Sequence, residues 1–193
     1  MLDNIRKYKV ILASNSPRRK ELLGGLDIDF CVRTLPGISE DYPESLDATD
    51  IPLYIAREKA EANRPQMAAG ELVITADTVV VLGNEVLGKP DNDGEARQML
   101  RKLSGKTHQV ITGVCLMTKD KQRSFAVKTD VTFKELADEE IEYYVSTYHP
   151  TDKAGAYGIQ EWIGYVGVTW LNGSYFNVMG LPVQRIYQEL QNF

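Results

Sequence analysis

Apolar and polar positions along this chain alternate with two different periods, and the switches between them mark out the elements. Tyr8–Ala13, with the apolar run Val10–Ala13, reads as a short buried strand. Ser16-Pro17 follows with a helix-start signature, serine as N-cap and proline at the first helical position. That helix is expected to run to about Leu23 and stop at Gly24-Gly25. Asp50-Ile51-Pro52 opens a second helix through Asn63, with Arg64 ahead of Pro65 marking its end. Leu72–Ala76 and Val79–Leu82 read as β structure on either side of Asp77-Thr78, with Gly83-Asn84 as a turn. Asn92 and Glu95 have capping-box spacing, and Ala96, Met99, Leu100 and Leu103 form one face of a helix ending at Ser104-Gly105. Two alternating runs, Val110 to Leu116 and Phe125 to Phe133, predict an antiparallel hairpin joined through Asp120-Lys121. Asp138 reads as the cap of a helix that turns Ile141, Tyr144, Val145 and Tyr148 to the core, with Pro150 beyond its end. Trp162–Trp170 and Tyr175–Val178 read as a strand pair around an Asn172-Gly173 turn, and a helix from Pro182 closes the chain. The expected class is mixed α/β with a substantial antiparallel component. No repeat, low-complexity tract or linker divides it, so 1–193 is expected to form one domain.

Composition narrows the function classes. With 193 residues, 43% hydrophobic and 25% charged, the chain suits one globular domain. Such a chain buries roughly 70% of its unfolded surface and needs no staples. Two distant cysteines, Cys31 and Cys115, exclude a disulfide framework or zinc ribbon, and two histidines exclude a multi-histidine metal site. No apolar run exceeds four residues, against about 20 for a membrane span. The opening MLDNIRKYKV carries Asp3 and no apolar stretch, which does not fit a signal peptide, so a cytoplasmic protein is expected. The net charge of −5 argues against a nucleic-acid binder working through a broad basic surface. Residues 1–20 nevertheless carry six bases against one acid, and a local basic knot of this kind suits a small anionic ligand.

Three familiar phosphate signatures fail. Ser104-Gly105-Lys106-Thr107 resembles the end of a P-loop, but Leu100 stands where the motif needs glycine and a helix precedes it. No three glycines fit G-x-G-x-x-G. Arg57-Glu58-Lys59-Ala60-Glu61 echoes a Nudix box, yet Ala62 replaces its second glutamate. What remains is Ser14-Asn15-Ser16-Pro17-Arg18-Arg19, where arginines face the positive end of a helix dipole at a cost of about 0.3–1 kcal/mol each. First-turn N–H groups, serine hydroxyls and guanidinium forks together would bind a phosphate chain. Asp77 at the end of an apolar strand, Lys89 in a Gly-Lys-Pro turn and Gln160 ending Gly155-Ala156-Tyr157-Gly158-Ile159-Gln160 join it as candidates. Each alone has a duller alternative, namely a capping aspartate, a surface lysine and a loop glutamine.

Taken in order along the chain, ILASNSPRRKELL (11–23), AREKA (56–60), TADTVV (75–80), GKP (88–90), DKAGAYGIQ (152–160) and GSYFNVMGLP (173–182) resemble the Maf family of nucleoside triphosphate pyrophosphatases. The resemblance implies a two-lobed α/β fold with a central cleft, akin to the ITPase type. It also implies hydrolysis between the α and β phosphates, a divalent metal (Mg²⁺ or Mn²⁺) and a homodimer. It makes Asp77 the proton acceptor and a metal ligand beside Glu40, and gives phosphate contacts to Ser14, Arg19, Lys59 and Lys89. Arg18, Thr78 and Gln160 match the positions that set specificity, and they look like the dTTP/UTP branch. A glutamine amide, with one donor group and one acceptor, can pair with the N3–H and a carbonyl of uracil or thymine. The chain departs from the family at Glu161-Trp162, where a glycine is common. Two alternatives stay open: the sister branch acting on 7-methylguanosine triphosphate, and a non-catalytic nucleotide-binding regulator of cell division. The acidic balance disfavours a nucleic-acid partner for either.

Overall fold

The computed structural model describes residues 2–193, and within them the chain divides into two compact units. The first comprises residues 2–77, 112–127 and 180–193, and the second 78–111 and 128–179. The strands form a mixed seven-stranded sheet in the order β2-β1-β3-β5-β6-β7, with β4 paired to β3. These are β1 (Lys9–Leu12), β2 (Phe30–Val32), β3 (Glu71–Leu82), β4 (Glu85–Leu87), β5 (Thr107–Met117), β6 (Gln122–Phe133) and β7 (Val168–Asn172). No linker or shift of composition in the sequence marks the division between the two units.

In the first unit, β1 lies between β2 and β3 and is parallel to both. Helix α1 (Pro17–Gly24) begins as its sequence predicts. The Ser16 hydroxyl accepts from the Arg19 N–H at 3.4 Å, and Ser14 Oγ accepts from the Ser16 N–H at 3.2 Å. Helix α2 (Ile51–Asn63) ends where its sequence predicts, with Arg64 as C-cap, and a 3-10 turn, Arg64–Gln66, follows. Ile11, Ala56, Ala60, Met67, Val73, Cys115 and Met117 pack together under it. The alanines matter for distance: they let the helix lie close to the sheet, as does Gly113 on β5, where a Cβ would sit 2.3 Å from the Pro52 carbonyl oxygen. The Thr75 hydroxyl donates to the Ala56 carbonyl at 2.6 Å and locks the register of α2 over β3.

In the second unit, α3 (Asp93–Leu103) buries Ala96, Met99, Leu100 and Leu103, and the Asn92 side chain accepts from the Glu95 N–H at 3.0 Å. Helix α4 (Asp138–Tyr148) packs against it with Ile141, Tyr144 and Val145. Its N-cap is Ala137, not Asp138, because the Glu140 carboxylate accepts the Ala137 N–H at 2.9 Å and fixes the start one residue earlier. The region from 162 to 179 differs most from expectation. It holds two short helices, α5 (Trp162–Gly167) and α6 (Tyr175–Met179), with only β7 between them as strand. Ser174 explains the second, since its Oγ accepts from the Asn177 N–H at 3.2 Å and starts a turn. Helix α7 (Val183–Gln191) closes the chain, in the first unit.

Candidate functional site

Strand β3 runs unbroken through Asp77-Thr78, so Asp77 stands in mid-strand rather than after one. A buried carboxylate in a sheet must be paired or hydrated, since desolvating it alone is costly. Asp77 is paired: Lys59 on α2 donates from Nζ to Asp77 Oδ1 at 2.9 Å. The same ammonium lies 2.6 Å from Glu40 Oε1, so one lysine is held between two carboxylates from distant parts of the chain. Lys59 and Asp77 are both nearly enclosed, whereas Glu40 lies half exposed on the 33–50 loop. Removing one member of so buried a pair leaves the other uncompensated.

Arg19 completes the cluster in an unexpected way. Its guanidinium does not project from the helix toward solvent. Nη1 donates to the Ala76 carbonyl at 2.8 Å and Nε to the Gly180 carbonyl at 2.9 Å. Burial lowers its pKa, while Asp77 and, more weakly, Glu40 act against that shift. Arg19 therefore braces the backbone next to Asp77 while adding positive charge beside the two acids. Arg18 adjoins it and lowers its pKa further by like charge. Ser14 is buried in the loop between β1 and α1. The first unit thus brings Glu40, Lys59, Asp77 and Arg19 together, with Ser14 just ahead of α1 and Arg18 in its first turn.

Thr78, Lys89 and Gln160 belong to the second unit. Lys89 is exposed in the turn after β4, between Gly88 and the buried Pro90. That turn is tied to the glycine-rich loop, since the Gly155 N–H donates to the Gly88 carbonyl at 2.9 Å. Gly155 has φ +67°, and a Cβ there would lie 2.8 Å from Val80 Cγ2, so only glycine lets the loop come this close to β3. Lys89 and Gln160 are thereby carried on two joined loops. The Gln160 Oε1 is buried with no protein partner.

Sequence reasoning missed the groups that hold this loop. Lys153 is buried, with Nζ 2.7 Å from Asp152 Oδ1 and 3.2 Å from Glu161 Oε1. The Tyr144 hydroxyl donates to Glu161 Oε2 and accepts from the Gly158 N–H at 3.0 Å. The only hint in the sequence is a lysine and a glutamate bracketing a glycine-rich stretch.

Among the described residues, no three His, Cys, Asp or Glu side chains converge as a ready metal cage. Glu40 and Asp77 do converge on one cation, the Lys59 ammonium, and both offer hard oxygen donors. That donor set fits a Mg²⁺-type ion, which takes one or two carboxylates and completes its shell with water and substrate phosphates.

The chain belongs to the Maf-like protein family, whose family model matches residues 9–193. Individual relatives are similar along the whole chain. It is 67% identical to the dTTP/UTP pyrophosphatase of Phocaeicola vulgatus over 99% of both chains, and 62% identical to that of Parabacteroides distasonis over 100% of both. A third dTTP/UTP pyrophosphatase, from Bacteroides thetaiotaomicron, is 59% identical over 99% of both. The Ham1 protein of Staphylococcus aureus is a more distant neighbour, 18% identical with a TM-score of 0.45 over 67% of this chain and 72% of that one.

Proposed function

We propose that this chain is a nucleoside triphosphate pyrophosphatase that hydrolyses dTTP and UTP to the monophosphate and pyrophosphate. The observation that carries the reading is the convergence of Asp77 and Glu40 on the Lys59 ammonium, in a chain 59–67% identical to three enzymes of that name. Asp77 orients and deprotonates the water that attacks the α phosphorus. Lys59 leaves its two carboxylates to meet phosphate charge, and Arg19 keeps the Asp77 backbone in place while adding positive potential. Glu40 and Asp77 would hold a divalent cation, Mg²⁺ or Mn²⁺, which when bound neutralises phosphate oxygens. Ser14 and Lys89 are assigned to the phosphate chain and Arg18, Thr78 and Gln160 to base choice by family resemblance. The unpartnered Gln160 Oε1 suits the N3–H of uracil or thymine. Among the described residues no helix is long and apolar enough to cross a membrane. The same resemblance gives a homodimer, which sedimentation would test.

The deciding experiment incubates purified protein with UTP or dTTP and Mg²⁺ or Mn²⁺ and identifies the products by phosphorus NMR. Monophosphate and pyrophosphate in equal amounts are expected. Nucleoside diphosphate with orthophosphate would refute the mechanism, and saturable binding without product would make the chain a regulator instead.

A further inference from the structure

Reading uracil against cytosine with a glutamine amide has a built-in difficulty. The two bases present opposite donor and acceptor patterns at N3 and position 4, and an amide that can flip serves both equally well. Selectivity needs the amide to be held in one orientation, and Gln160 does not hold itself, because its buried Oε1 has no protein partner. Its neighbours fix the loop that carries it. The side chains of Gln160 and Glu161 both fold back over Gly158, where a Cβ would lie 3.0 Å from Gln160 Nε2 and 2.9 Å from Glu161 Cδ.

Glu161 then ties the loop at three points, two through its carboxylate and one through its backbone. One oxygen faces Lys153 Nζ at 3.2 Å, at the start of the loop. The other accepts from the Tyr144 hydroxyl, which in turn receives the Gly158 N–H at 3.0 Å in the middle of the loop. Within the loop's own backbone, the Glu161 N–H donates to the Gly158 carbonyl at 3.0 Å. Tyr144 is fully buried and Lys153 nearly so, so these anchors do not drift, and an ionic hydrogen bond shielded from water is stronger than an exposed one.

Resting on the function proposed above, we infer that Glu161 is a positioning residue for base selection: through Tyr144 and Lys153 it fixes the loop that presents the Gln160 amide. Glu161 itself touches no reacting atom. Glu161→Gln keeps the shape and removes the charge that faces Lys153, and Lys153 retains Asp152 as a partner, so the fold is expected to survive. Tyr144→Phe removes only the hydroxyl that links Glu161 to Gly158.

The test is a double-mutant cycle read on substrate choice. Steady-state kcat and KM are measured for UTP and CTP in wild type, Glu161→Gln, Tyr144→Phe, Gln160→Ala and the Glu161→Gln/Gln160→Ala pair. Glu161→Gln is expected to raise KM for UTP and cut the UTP-over-CTP preference about tenfold, with kcat for UTP within about twofold. Tyr144→Phe should do the same in milder form. The effect of Glu161→Gln on preference should vanish in the Gln160→Ala background, the mark of acting through Gln160. Additive losses, or a lowered melting point with unchanged preference, would overturn the positioning role while leaving the enzyme reading intact. Absence of UTP turnover by the wild type would overturn both.

Discussion

His108 gives a stability prediction whose size can be worked out in advance. It lies on β5 with 1% of its surface exposed, and its Nε2 is 2.7 Å from the Tyr157 hydroxyl. Phe133 and Tyr157 enclose the ring at centroid distances of 5.3 and 5.4 Å. Burial alone, with no acid to stabilise a charge, pushes its pKa down from 6.5 to about 4. The folded state thus disfavours the proton that the unfolded state accepts. The stabilisation is complete above pH 6.5 and is lost as pH falls toward 4, and the full span of 2.5 units corresponds to about 3 kcal/mol. Between pH 7 and pH 5 the same linkage removes about 2 kcal/mol. Carboxylates held down by partners, such as Glu140 by its hydrogen bonds from Lys134, add their own losses mainly below about pH 5, so the upper interval belongs to His108. Both tryptophans, Trp162 and Trp170, lie in the same unit as His108, so tryptophan fluorescence during urea unfolding reports the relevant part of the chain. A His149→Ala background removes the other imidazole from the titration. Unfolding free energy should fall by about 2 kcal/mol from pH 7 to pH 5, and His108→Gln, though less stable at pH 7, should show a much flatter profile. A change below about 0.5 kcal/mol, or an equal slope in the variant, would refute the argument.

Three further outcomes follow from the site. Asp77→Asn should lower kcat for UTP about 10²–10⁴-fold while nucleotide still binds, checked by kinetics and calorimetry across a metal titration; near-normal kcat in the folded variant removes Asp77 from the chemistry. Arg19→Lys cannot serve the Ala76 and Gly180 carbonyls together, so it should cost about 1–3 kcal/mol of stability and lower activity, and a melting curve unchanged from wild type would count against the bracing role. Gly113→Ala puts a methyl 2.3 Å from the Pro52 carbonyl oxygen, and chemical denaturation should show at least about 3 kcal/mol lost, with activity falling as α2 shifts.

Much of this architecture was legible where a residue pattern is set by local physics. Helix α3 announced itself because Ala96, Met99, Leu100 and Leu103 recur on one face and Asn92 stands ready to cap. The start of α1 was legible for the same reason. Asp77 was read at a strand end because a polar pair interrupts an apolar run, and what keeps the strand going is Lys59, eighteen residues away and on another element. The segment from Trp162 to Met179 is aromatic and β-branched, which favours strand, but its helices of six and five residues are too short to show a helical period. At Gly164, in the first of these helices, a Cβ would lie 1.8 Å from the Ile159 carbonyl oxygen, so glycine is required there by a contact no local pattern encodes. The family resemblance gives Arg19 a phosphate contact and says nothing of how its guanidinium is held. Its two carbonyl partners are 57 and 161 residues distant, and nothing in its neighbourhood announces them.

The close seating of α2 bears on how this chain tolerates change. The gap between Lys59 and Asp77 is set by what Ala56, Ala60 and Gly113 lack, in the way a thin shim sets a clearance. These three positions do no chemistry, carry no charge and face no solvent, yet a single added carbon at one of them would lift the lysine from its acids. In a saturation library selected for turnover, they should be purged almost as thoroughly as Asp77 itself. A mutational map alone would then mark them as part of the active site, and only a parallel selection for folding would tell the spacers from the reagents.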